Sequence, residues 1–506
     1  MQRTDEQQGF ISGILAKIKA GLLAHSCLDA KAGTGKSTTA VEFVDEYVKV
    51  FPSHNIMIVC FGKEASLDVG KKLKEHGHTN WLTVQASTIH AACFSTFSRL
   101  FNPKVDNKKV YNLINQQNDI VYQEHAANIA QLVHLAKIEG FGFFPDRQIN
   151  DTSAWYWLIN HYDINGFDDT TQTDDVVACA QFIYKASLAQ TDVVDFDDMV
   201  LFPLVKNIKV KFQKDLIIND EAQDNGRTKT AMLRKFLKPT GTFIAIGDPD
   251  QAIFGFAGAQ SDALQQLIDT FQMEIYPLTV CWRCSKAVIR RAQTLVPSIK
   301  HADDAIEGGD RTLTELPTKE LTNKDAILCR NTAPLIDTAY KLLRAGIACK
   351  VEGREIGTNL LRMINRWKRV TTIDQFLKKL DDFREREVQK ALAKGHDSKV
   401  EEINDRCETL VHIANVCIDR KQSDLSDMRK FVEDMFSDKV KEQGLLTLAT
   451  YHRSKGREWT NTYLLDHAKR CPSKYARQAW QKEQERHLAY VAFTRAMDTI
   501  NFVNTQ

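Results

Sequence analysis

Short runs of apolar residues alternate with longer helical patterns along the chain. Four runs, each bounded by turn-forming or polar residues, lie in the first half: Ser26 to Asp29, Ile56 to Phe61, Leu216 to Asp220 and Phe243 to Gly247. Four more lie in the second half: Ala326 to Cys329, Leu445 to Thr450, Tyr463 to Asp466 and Thr499 to Val503. Apolar strands that alternate with helices are typical of parallel sheets buried on both faces. The pattern predicts an α/β chain with two parallel sheets.

Two stretches lack such runs. Residues from about 91 to 190 mix aromatic and charged residues, and residues from about 360 to 440 are strongly charged with apolar residues at heptad-like spacing. Both patterns predict helical insertions. We therefore expect a first α/β domain over residues 1–87 and 191–275 with a helical insertion over 88–190. We expect a second over 276–360 and 441–506 with a short helical insertion over 361–440.

The composition narrows the classes of protein. With 506 residues, 43% of them hydrophobic and 26% charged, the chain is neither disordered nor a small disulfide-rich scaffold. The formal net charge of +2 provides no overall field for a polyanion, so nucleic acid must be held by local patches. Eleven cysteines without framework spacing indicate a reducing compartment. No apolar run approaches the roughly 18 residues that span a bilayer. We expect no membrane partner and a cytoplasmic or nucleoid-associated location, in the host cell if a phage encodes the chain.

The segment "CLDAKAGTGKSTTAVEFV" leads from a strand through a glycine-rich turn into a helix. Backbone N–H groups and a helix N-terminus then face an anion together. Lys36 would reach the β- and γ-phosphates, and Ser37 would join the shell of Mg²⁺. The residues expected to bind the nucleotide here are Gly33, Thr34, Gly35, Lys36, Ser37 and Thr38. The tripeptide G-K-[ST] alone should occur by chance roughly 0.2 to 0.3 times in such a chain, and the alternative is a glycine turn without a nucleotide.

A second motif, "DLIINDEAQD", is an apolar strand that ends in Asp220 and Glu221. Adjacent side chains at a strand end point in different directions. Asp220 can therefore hold Mg²⁺ through water while Glu221 polarises the attacking water. The alternative is a solvated acidic turn.

Further motifs follow in chain order: "IAIGDPDQAIFGFAGA", "LTVCWRCSKAVI", "TLATYHRSKGREW" and "ERHLAYVAFTRA". With "TDEQQ", "FGKEAS" and "ASTIH" near the start, this series resembles superfamily 1 DNA helicases of the UvrD/Rep/PcrA type. The short "FGKEAS" and "STIH" forms are similar to the compact branch that includes the F-box DNA helicases, without an evident F-box. The resemblance implies two RecA-like parallel-sheet phosphate-loop domains with helical insertions, and ATP as the nucleotide.

The resemblance also implies roles around the nucleotide. Gln7 looks like the residue that contacts the adenine edge, Trp282 stands where the family usually has a stacking Tyr, and Glu458 is similar to the family's ribose contact. Phosphoryl transfer needs positive charge at the transition state. Arg283 and Arg495 look like the arginine fingers that supply it.

The resemblance implies a catalytic set of five residues: Lys36, Glu221, Gln251, Arg283 and Arg495. In this set Gln251 is the γ-phosphate sensor. Because the first-sheet and second-sheet residues would share one nucleotide, its hydrolysis would change what holds the two domains together.

The positions that match the family's strand-contacting motifs are Phe61, Lys63, Thr88, His90, Phe256 and His452. Aromatic stacking and backbone charge are how single-stranded DNA is held. The family's Arg-Trp-Arg reads Gly255-Phe256-Ala257 here, so two cations are missing. Core packing is the alternative for Phe61 and Phe256.

The expected function is an ATP-dependent DNA helicase or translocase, 3′-to-5′ by resemblance, acting on single-stranded DNA and single-strand/duplex junctions. A replication or repair protein is a candidate partner. One alternative is an ATP-driven translocase or clamp that displaces proteins and unwinds poorly. Another is a small-molecule phosphate-loop enzyme whose ATP turnover ignores DNA.

Several other patterns are expected to be structural. The pair Cys281 and Cys284 lacks two further zinc ligands, and we expect His76 and His78 to lie in a solvated turn without partners. The cluster Trp155, Tyr156 and Trp157 is expected to belong to a core. The interspersed charges over 374–406 favour a solvated helical face, with a face for duplex DNA or a partner protein as the alternative.

Overall fold

Two groups of parallel strands, one in each half of the chain, form the framework of the protein. The computed structural model describes residues 3–80, 83–164, 170–255, 262–345, 347–393, 397–435 and 445–504. The chain divides into unit 1, Met1–Thr279, and unit 2, Val280–Gln506. Among the described residues, no helix has both the length and the apolar character needed to cross a membrane.

Unit 1 alternates strands and helices and carries a run of helices in its middle. Its elements are α1 (Asp5–Lys19), β1 (Ser26–Ala30), α2 (Lys36–Val50), β2 (Ile56–Cys60), α3 (Lys63–Glu75), β3 (Val84–Thr88), α4 (Ile89–Phe101), β4 (Lys104–Val105), α5 (Lys109–Asn115), α6 (Ile120–Glu124), α7 (Ala126–Ile138), α8 (Thr152–His161), α9 (Thr170–Ala189), β5 (Val193–Val194), α10 (Phe196–Val205), β6 (Lys214–Asn219), α11 (Arg227–Phe236), β7 (Leu237–Gly247), α12 (Ala263–Phe271) and β8 (Glu274–Leu278).

The four apolar runs of the first half form the four inner strands of a parallel sheet with the order β3-β2-β6-β7-β1-β8. The register pairs Cys27 of β1 with Ala245 of β7 and Ile217 of β6 with Phe243 of β7. Alternate residues of these strands enter two separate apolar clusters, one on each face. This confirms the α/β prediction for the first half. The carboxyl ends of β6, β7 and β1 consequently lie side by side, and the candidate site is built on that edge.

The helices from α4 to α10 have an apolar core of their own. Trp155 is fully buried in it, and its indole N–H donates to the Ile149 carbonyl at 2.9 Å. The expectation of a core role is confirmed for Trp155. Trp157 is half-buried and stacks on His161.

A network of buried ion pairs and hydrogen bonds connects the helices of this segment. Lys109 donates to Asp198 at 2.7 Å and to the carbonyls of Ser187 and Gln190, while Lys137 pairs with Asp198 at 2.8 Å. Lys109, Lys137 and Asp198 are almost fully buried. Removing one partner would leave an uncompensated buried charge, which typically costs about 3 to 5 kcal/mol. Asp198 is therefore structural.

Unit 2 repeats the alternation. Its elements are β9 (Val280–Cys281), α13 (Lys286–Gln293), β10 (Lys300–His301), β11 (Gly309–Leu313), β12 (Asp325–Cys329), α14 (Ala333–Arg344), β13 (Cys349–Val351), α15 (Arg354–Ile364), α16 (Ile373–Ala393), α17 (Asp397–Asp419), α18 (Leu425–Met435), β14 (Leu446–Thr450), α19 (Tyr451–Ser454), β15 (Trp459–Leu465), α20 (His467–Arg470), α21 (Ala479–Phe493) and β16 (Ala496–Val503).

The second sheet is parallel and has the order β11-β16-β15-β12-β14-β13, with the four predicted runs as its inner strands. Helices α16 to α18 share one apolar core with this sheet: Phe376 and Leu410 belong to the same cluster as Ile327 and Leu448. Asp405 of α17 also accepts the backbone N–H groups of Thr332 and Ala333 at 3.1 and 3.0 Å. The charged helical segment is thus joined to its sheet by both packing and hydrogen bonds.

Candidate active site

The phosphate loop, residues 31–35 between β1 and α2, has the backbone geometry of an anion cradle. Gly33 and Gly35 have φ values of 70° and 86°, in the left-handed region that favours glycine. No side chain caps the N-terminus of α2. Lys36 Nζ is buried without a hydrogen-bond partner, and it lies 3.5 Å from Glu221 Oε1. A phosphate oxygen would satisfy both the helix terminus and this ammonium group. Thr38 lies exposed in the first turn of α2.

The two carboxylates follow β6, beside the loop. Ser37 Oγ donates to Asp220 Oδ2 at 3.3 Å, and Asp220 Oδ1 accepts the Glu221 backbone N–H at 3.0 Å. Glu221 has a φ of 53°, which is uncommon for a residue other than glycine and is found at functional sites. Burial raises the pKa of the Asp220 carboxyl to about 6, the Glu221 carboxylate adds to the rise, and Lys36 opposes it.

The donor set at this position fits magnesium. A hydroxyl and a carboxylate are hard oxygen ligands, and Mg²⁺ in such sites keeps waters and takes phosphate oxygens for its remaining positions. Among the described residues, no group of three or more His, Cys, Asp or Glu side chains could hold a metal ion. Ser37 and Asp220 would supply two oxygen ligands, and phosphate oxygens and waters would supply the others.

Gln223, which the sequence motifs did not single out, holds the carboxylate site in place. Its amide nitrogen donates to Glu221 Oε2, and its Oε1 accepts the Asp248 backbone N–H at 3.1 Å. Gln223 is almost fully buried. A Cβ on Gly247 would lie only 2.5 Å from Gln223 Oε1. Its position inside "DEAQD" was a signal that could have identified it.

Two predicted nucleotide contacts lie around the loop. Gln251 is buried, and its amide nitrogen donates to Asp248 Oδ2 at 2.7 Å. Gln7 Nε2 donates to Thr39 Oγ1 of α2 at 2.9 Å, while its Oε1 accepts the Thr4 backbone N–H at 3.0 Å. In unit 1 the structure therefore brings Gln7, Gln251 and the two carboxylates to the same end of the sheet as Lys36.

The predicted residues of unit 2 lie near one another within that unit. Arg283 Nε pairs with Glu458 Oε2 at 2.5 Å, and the neighbouring Trp282 is 43% exposed. Arg495 is buried and donates to the carbonyls of Val491 and Arg457 at 2.9 and 3.1 Å. The finger candidates thus belong to two adjoining turns.

Cys281 and Cys284 flank Trp282 and Arg283, and Cys284 contacts the turn that carries Arg495. All eleven cysteines of the chain are free. Cys284 Sγ donates to the Thr494 carbonyl at 3.7 Å, next to Arg495. A hydrogen bond with Cys284 lowers the pKa of the Cys281 thiol to about 7.

Two of the candidate nucleic-acid residues of unit 1, Phe61 and His90, line a cavity of about 220 Å³. The Phe61 ring, 43% exposed, stacks on the Phe254 ring with centroids 5.5 Å apart and planes at 11°. Lys229 Nζ lies 5.2 Å from the Phe61 centroid, and burial lowers its pKa. Phe61 is therefore not a core residue. Phe254 and Lys229 were missed from the sequence, although Phe254 lies in the quoted "IFGFAG" block.

The remaining candidates differ in their surroundings. His90 lines the same cavity, where burial lowers its pKa to about 4 and Lys229 adds to the fall. Thr88 caps α4 by accepting the Ala91 N–H, and Lys63 is exposed at the start of α3. Phe256 lies outside the described residues. In unit 2, His452 lies in α19, where burial lowers its pKa to about 3.

The expectation that His76 and His78 lack partners was wrong. Both rings contact the same carboxylate: His76 Nδ1 lies 2.6 Å from Asp45 Oδ2, and His78 Nε2 lies 2.7 Å from Asp45 Oδ1. Asp45 lies on α2, some thirty residues earlier in the chain, so the spacing in sequence did not indicate the contact.

Comparisons with known proteins bear on this arrangement. The family described as UvrD/REP helicase N-terminal domain matches residues 17–272. The chain is 25% identical to the ATP-dependent DNA helicase Rep of Escherichia coli over 284 residues, which is 54% of this chain and 41% of that protein. It is 22% identical to DNA helicase II of Haemophilus influenzae over 305 residues, 55% of this chain and 39% of that protein. It is 28% identical to the ATP-dependent DNA helicase srs2 of Schizosaccharomyces pombe over 128 residues, which is 23% of this chain and 14% of that protein. The chain thus spans about two fifths or less of these relatives.

The contact between Gly247 and Gln223 generates a prediction. Gly247→Ala forces its Cβ into the space of Gln223 Oε1, so we expect the free energy of unfolding to fall by about 1 to 3 kcal/mol, as overpacking does. Gly9→Ala is the matched control, because Gly9 lies exposed within α1 with nothing within 4 Å of its Cβ position. That variant should gain about 0.5 to 1 kcal/mol. Urea titration measures both, and an unchanged midpoint for Gly247→Ala would contradict the contact.

Proposed function

Because the chain belongs to the UvrD/REP helicase family, whose domain description matches residues 17–272, we propose that it is an ATP-dependent DNA helicase. The observation that carries the proposal is the buried ammonium of Lys36, which has no hydrogen-bond partner and stands at a helix N-terminus beside two carboxylates. A buried cation in a glycine cradle is expensive unless a phosphate accompanies it. The location and a replication or repair partner stay predictions.

Lys36 and Glu221 take complementary roles in this proposal. With phosphate oxygens in the cradle, Lys36 gains closer anionic partners than Glu221 Oε1 at 3.5 Å. The Glu221 carboxylate, still oriented by Gln223, then accepts a proton from the attacking water. Ser37 and Asp220 would hold Mg²⁺, which when bound supplies positive charge to the phosphate oxygens.

The proposed contacts of unit 2 follow the family resemblance. We propose that Arg283 and Arg495 act on the same nucleotide as Lys36, that Trp282 stacks on adenine and that Glu458 contacts the ribose. Arg283 pairs with Glu458, so engaging a phosphate requires it to leave that carboxylate. Gln251 is proposed as the residue that senses the γ-phosphate.

Single-stranded DNA is the proposed track. The ring of Phe61, its neighbour Phe254 and the ammonium of Lys229 present the aromatic face and the charge that a base and its phosphate need. We propose 3′-to-5′ movement and separation of the duplex at a junction. A translocase that displaces proteins and unwinds poorly is the second candidate, which the residues Gly255 and Ala257 favour because they carry no charge where relatives have arginine.

The first prediction of this function concerns the substrate. Single-stranded DNA should raise the rate of ATP hydrolysis, and a duplex with a 3′ tail should be unwound while one with a 5′ tail is not. ATP turnover is measured with and without DNA, followed by strand separation on both substrates and by streptavidin displacement. Stimulation and displacement without strand separation would favour the second candidate. ATP turnover that ignores DNA would contradict both and favour a small-molecule enzyme.

The second prediction concerns the two catalytic side chains. Lys36→Ala and Glu221→Gln should each lower ATP turnover by roughly 10²- to 10⁴-fold, because one removes the phosphate cation and the other the general base. DNA affinity, measured by fluorescence anisotropy, should stay close to that of the wild type. Lys49→Ala is the control, because Lys49 lies exposed on the same helix α2. Near-normal turnover in either catalytic variant would show that the site is misassigned.

The third prediction concerns pH. Since the pKa of the Asp220 carboxyl is about 6, it is ionised at pH 7 and mostly protonated at pH 5. A protonated carboxyl is a poor metal ligand, so affinity for a fluorescent nucleotide in the presence of Mg²⁺ should fall about tenfold between these pH values. The control is Asp220→Asn, which has no carboxyl group at this position. The pH dependence of nucleotide affinity that remains in this variant measures the titration of the nucleotide itself. An equal fall in wild type and Asp220→Asn would count against Asp220 as a ligand.

A further inference from the structure

Lys31 lies inside the phosphate loop, yet its side chain is directed to carboxylates of the protein. Its Nζ lies 2.9 Å from Asp29 Oδ1, 3.1 Å from Asp250 Oδ2 and 3.7 Å from Asp248 Oδ1. Only 5% of Lys31 is exposed. The roles proposed for Lys36 and Ser37 do not use it. A cation so enclosed by negative charge stays ionised, and its pKa is raised although burial opposes the rise.

These carboxylates come from two strand ends. Asp29 belongs to β1, whereas Asp248 and Asp250 belong to the turn that follows β7. The Lys31 backbone is itself part of the loop, because its carbonyl accepts the Thr34 hydroxyl at 2.8 Å. The Lys31 side chain therefore ties the turn Asp248–Gln251 to the phosphate loop.

The same turn orients the proposed γ-phosphate sensor. Asp248 is fully buried and accepts the Gln251 amide at 2.7 Å through its Oδ2, while its Oδ1 is the atom that faces Lys31. One carboxylate thus stands between Lys31 and Gln251. Without the ammonium, that carboxylate would lie buried beside Asp250 and lose one of the two cations that act on it, the other being Lys36.

The turn also continues toward the candidate DNA interface. Phe254 follows Gln251 by three residues and stacks on Phe61 at the cavity. If the turn moved relative to the phosphate loop, both the side-chain amide of Gln251 and the ring of Phe254 would be displaced. Lys31 fixes the end of this segment that is nearer the nucleotide.

We propose that Lys31 is a positioning residue, which holds the turn Asp248–Gln251 against the phosphate loop. In this position Gln251 is aligned for hydrolysis, and a movement of the phosphate loop also moves Phe254. This rests on the proposed function, because it assumes that ATP is hydrolysed at Lys36 and Glu221. Direct binding of phosphate by Lys31 is the competing role. The three carboxylates around Nζ oppose it, because a phosphate would have to displace them.

The test compares Lys31→Met, which keeps the apolar stem, with Lys31→Arg, which keeps the charge. We expect Lys31→Met to lower kcat for ATP about tenfold or more in the presence of single-stranded DNA, with KM and the Kd of a fluorescent nucleotide within about threefold of wild type. Lys31→Arg should recover most of kcat. Gln251→Ala added to Lys31→Met should cause little further loss, because both changes act through one turn.

A second measurement does not depend on turnover. Amide hydrogen exchange of the peptide covering residues 248–255 should be faster in Lys31→Met than in wild type, Lys31→Arg or the surface control Lys49→Met. If wild-type protein hydrolyses no ATP, the proposed function fails and the exchange result alone decides the role of Lys31.

Three outcomes would overturn the inference. One is exchange over 248–255 that does not change in Lys31→Met. Another is a loss in kcat accompanied by a tenfold rise in KM and Kd, which would mean that Lys31 binds the phosphates. The third is a full additive loss in the double variant, which would mean that Lys31 does not act through Gln251.

Discussion

Charge confined at one edge of the first sheet is the constraint on which the rest of unit 1 depends. The ends of β6, β7 and β1 meet there, and they place two lysines and five aspartate or glutamate side chains in or near a buried space. Such groups are tolerated only when each has partners of opposite charge or a ligand. Lys31 is fully occupied by protein carboxylates. Lys36 Nζ has carboxylates nearby but no hydrogen-bond partner, which is why a ligand phosphate belongs beside it.

The supporting residues explain how this charge keeps its geometry. Gln223 joins the Glu221 carboxylate to the backbone of Asp248, and Gly247 leaves the room that its amide needs. Asp248 in turn joins Gln251 and Lys31. Glu221, Gln251 and the phosphate loop are therefore joined by one network of hydrogen bonds and ion pairs. Within such a network the effect of removing one member depends on the others.

The strands and the phosphate loop could be predicted because each is encoded by neighbouring residues. An apolar run bounded by turns indicates its strand, and Gly33 to Ser37 carry their chemistry within a few positions. Contacts between strand ends could not be predicted in that way. Lys31 meets Asp250 across more than two hundred residues, and Phe61 meets Phe254 across almost as many. The partner of His76 and His78, Asp45, was missed for the same reason.

The helical segments α4 to α10 and α16 to α18 differ in the apolar cluster in which their side chains pack. Helices α5 to α9 pack in an apolar cluster separate from the first sheet, while α4 and α10 also contribute Cys93 and Val200 to the cluster of that sheet; helices α16 to α18 complete the cluster of the second sheet. Helices α5 to α9 can therefore change in length or sequence while the first sheet keeps its packing. Helices α16 to α18 do not have that freedom, since their inner faces pack directly on the strands of the second sheet. Evolutionary change in such a chain should accumulate as module replacement in unit 1 and as paired substitution in unit 2.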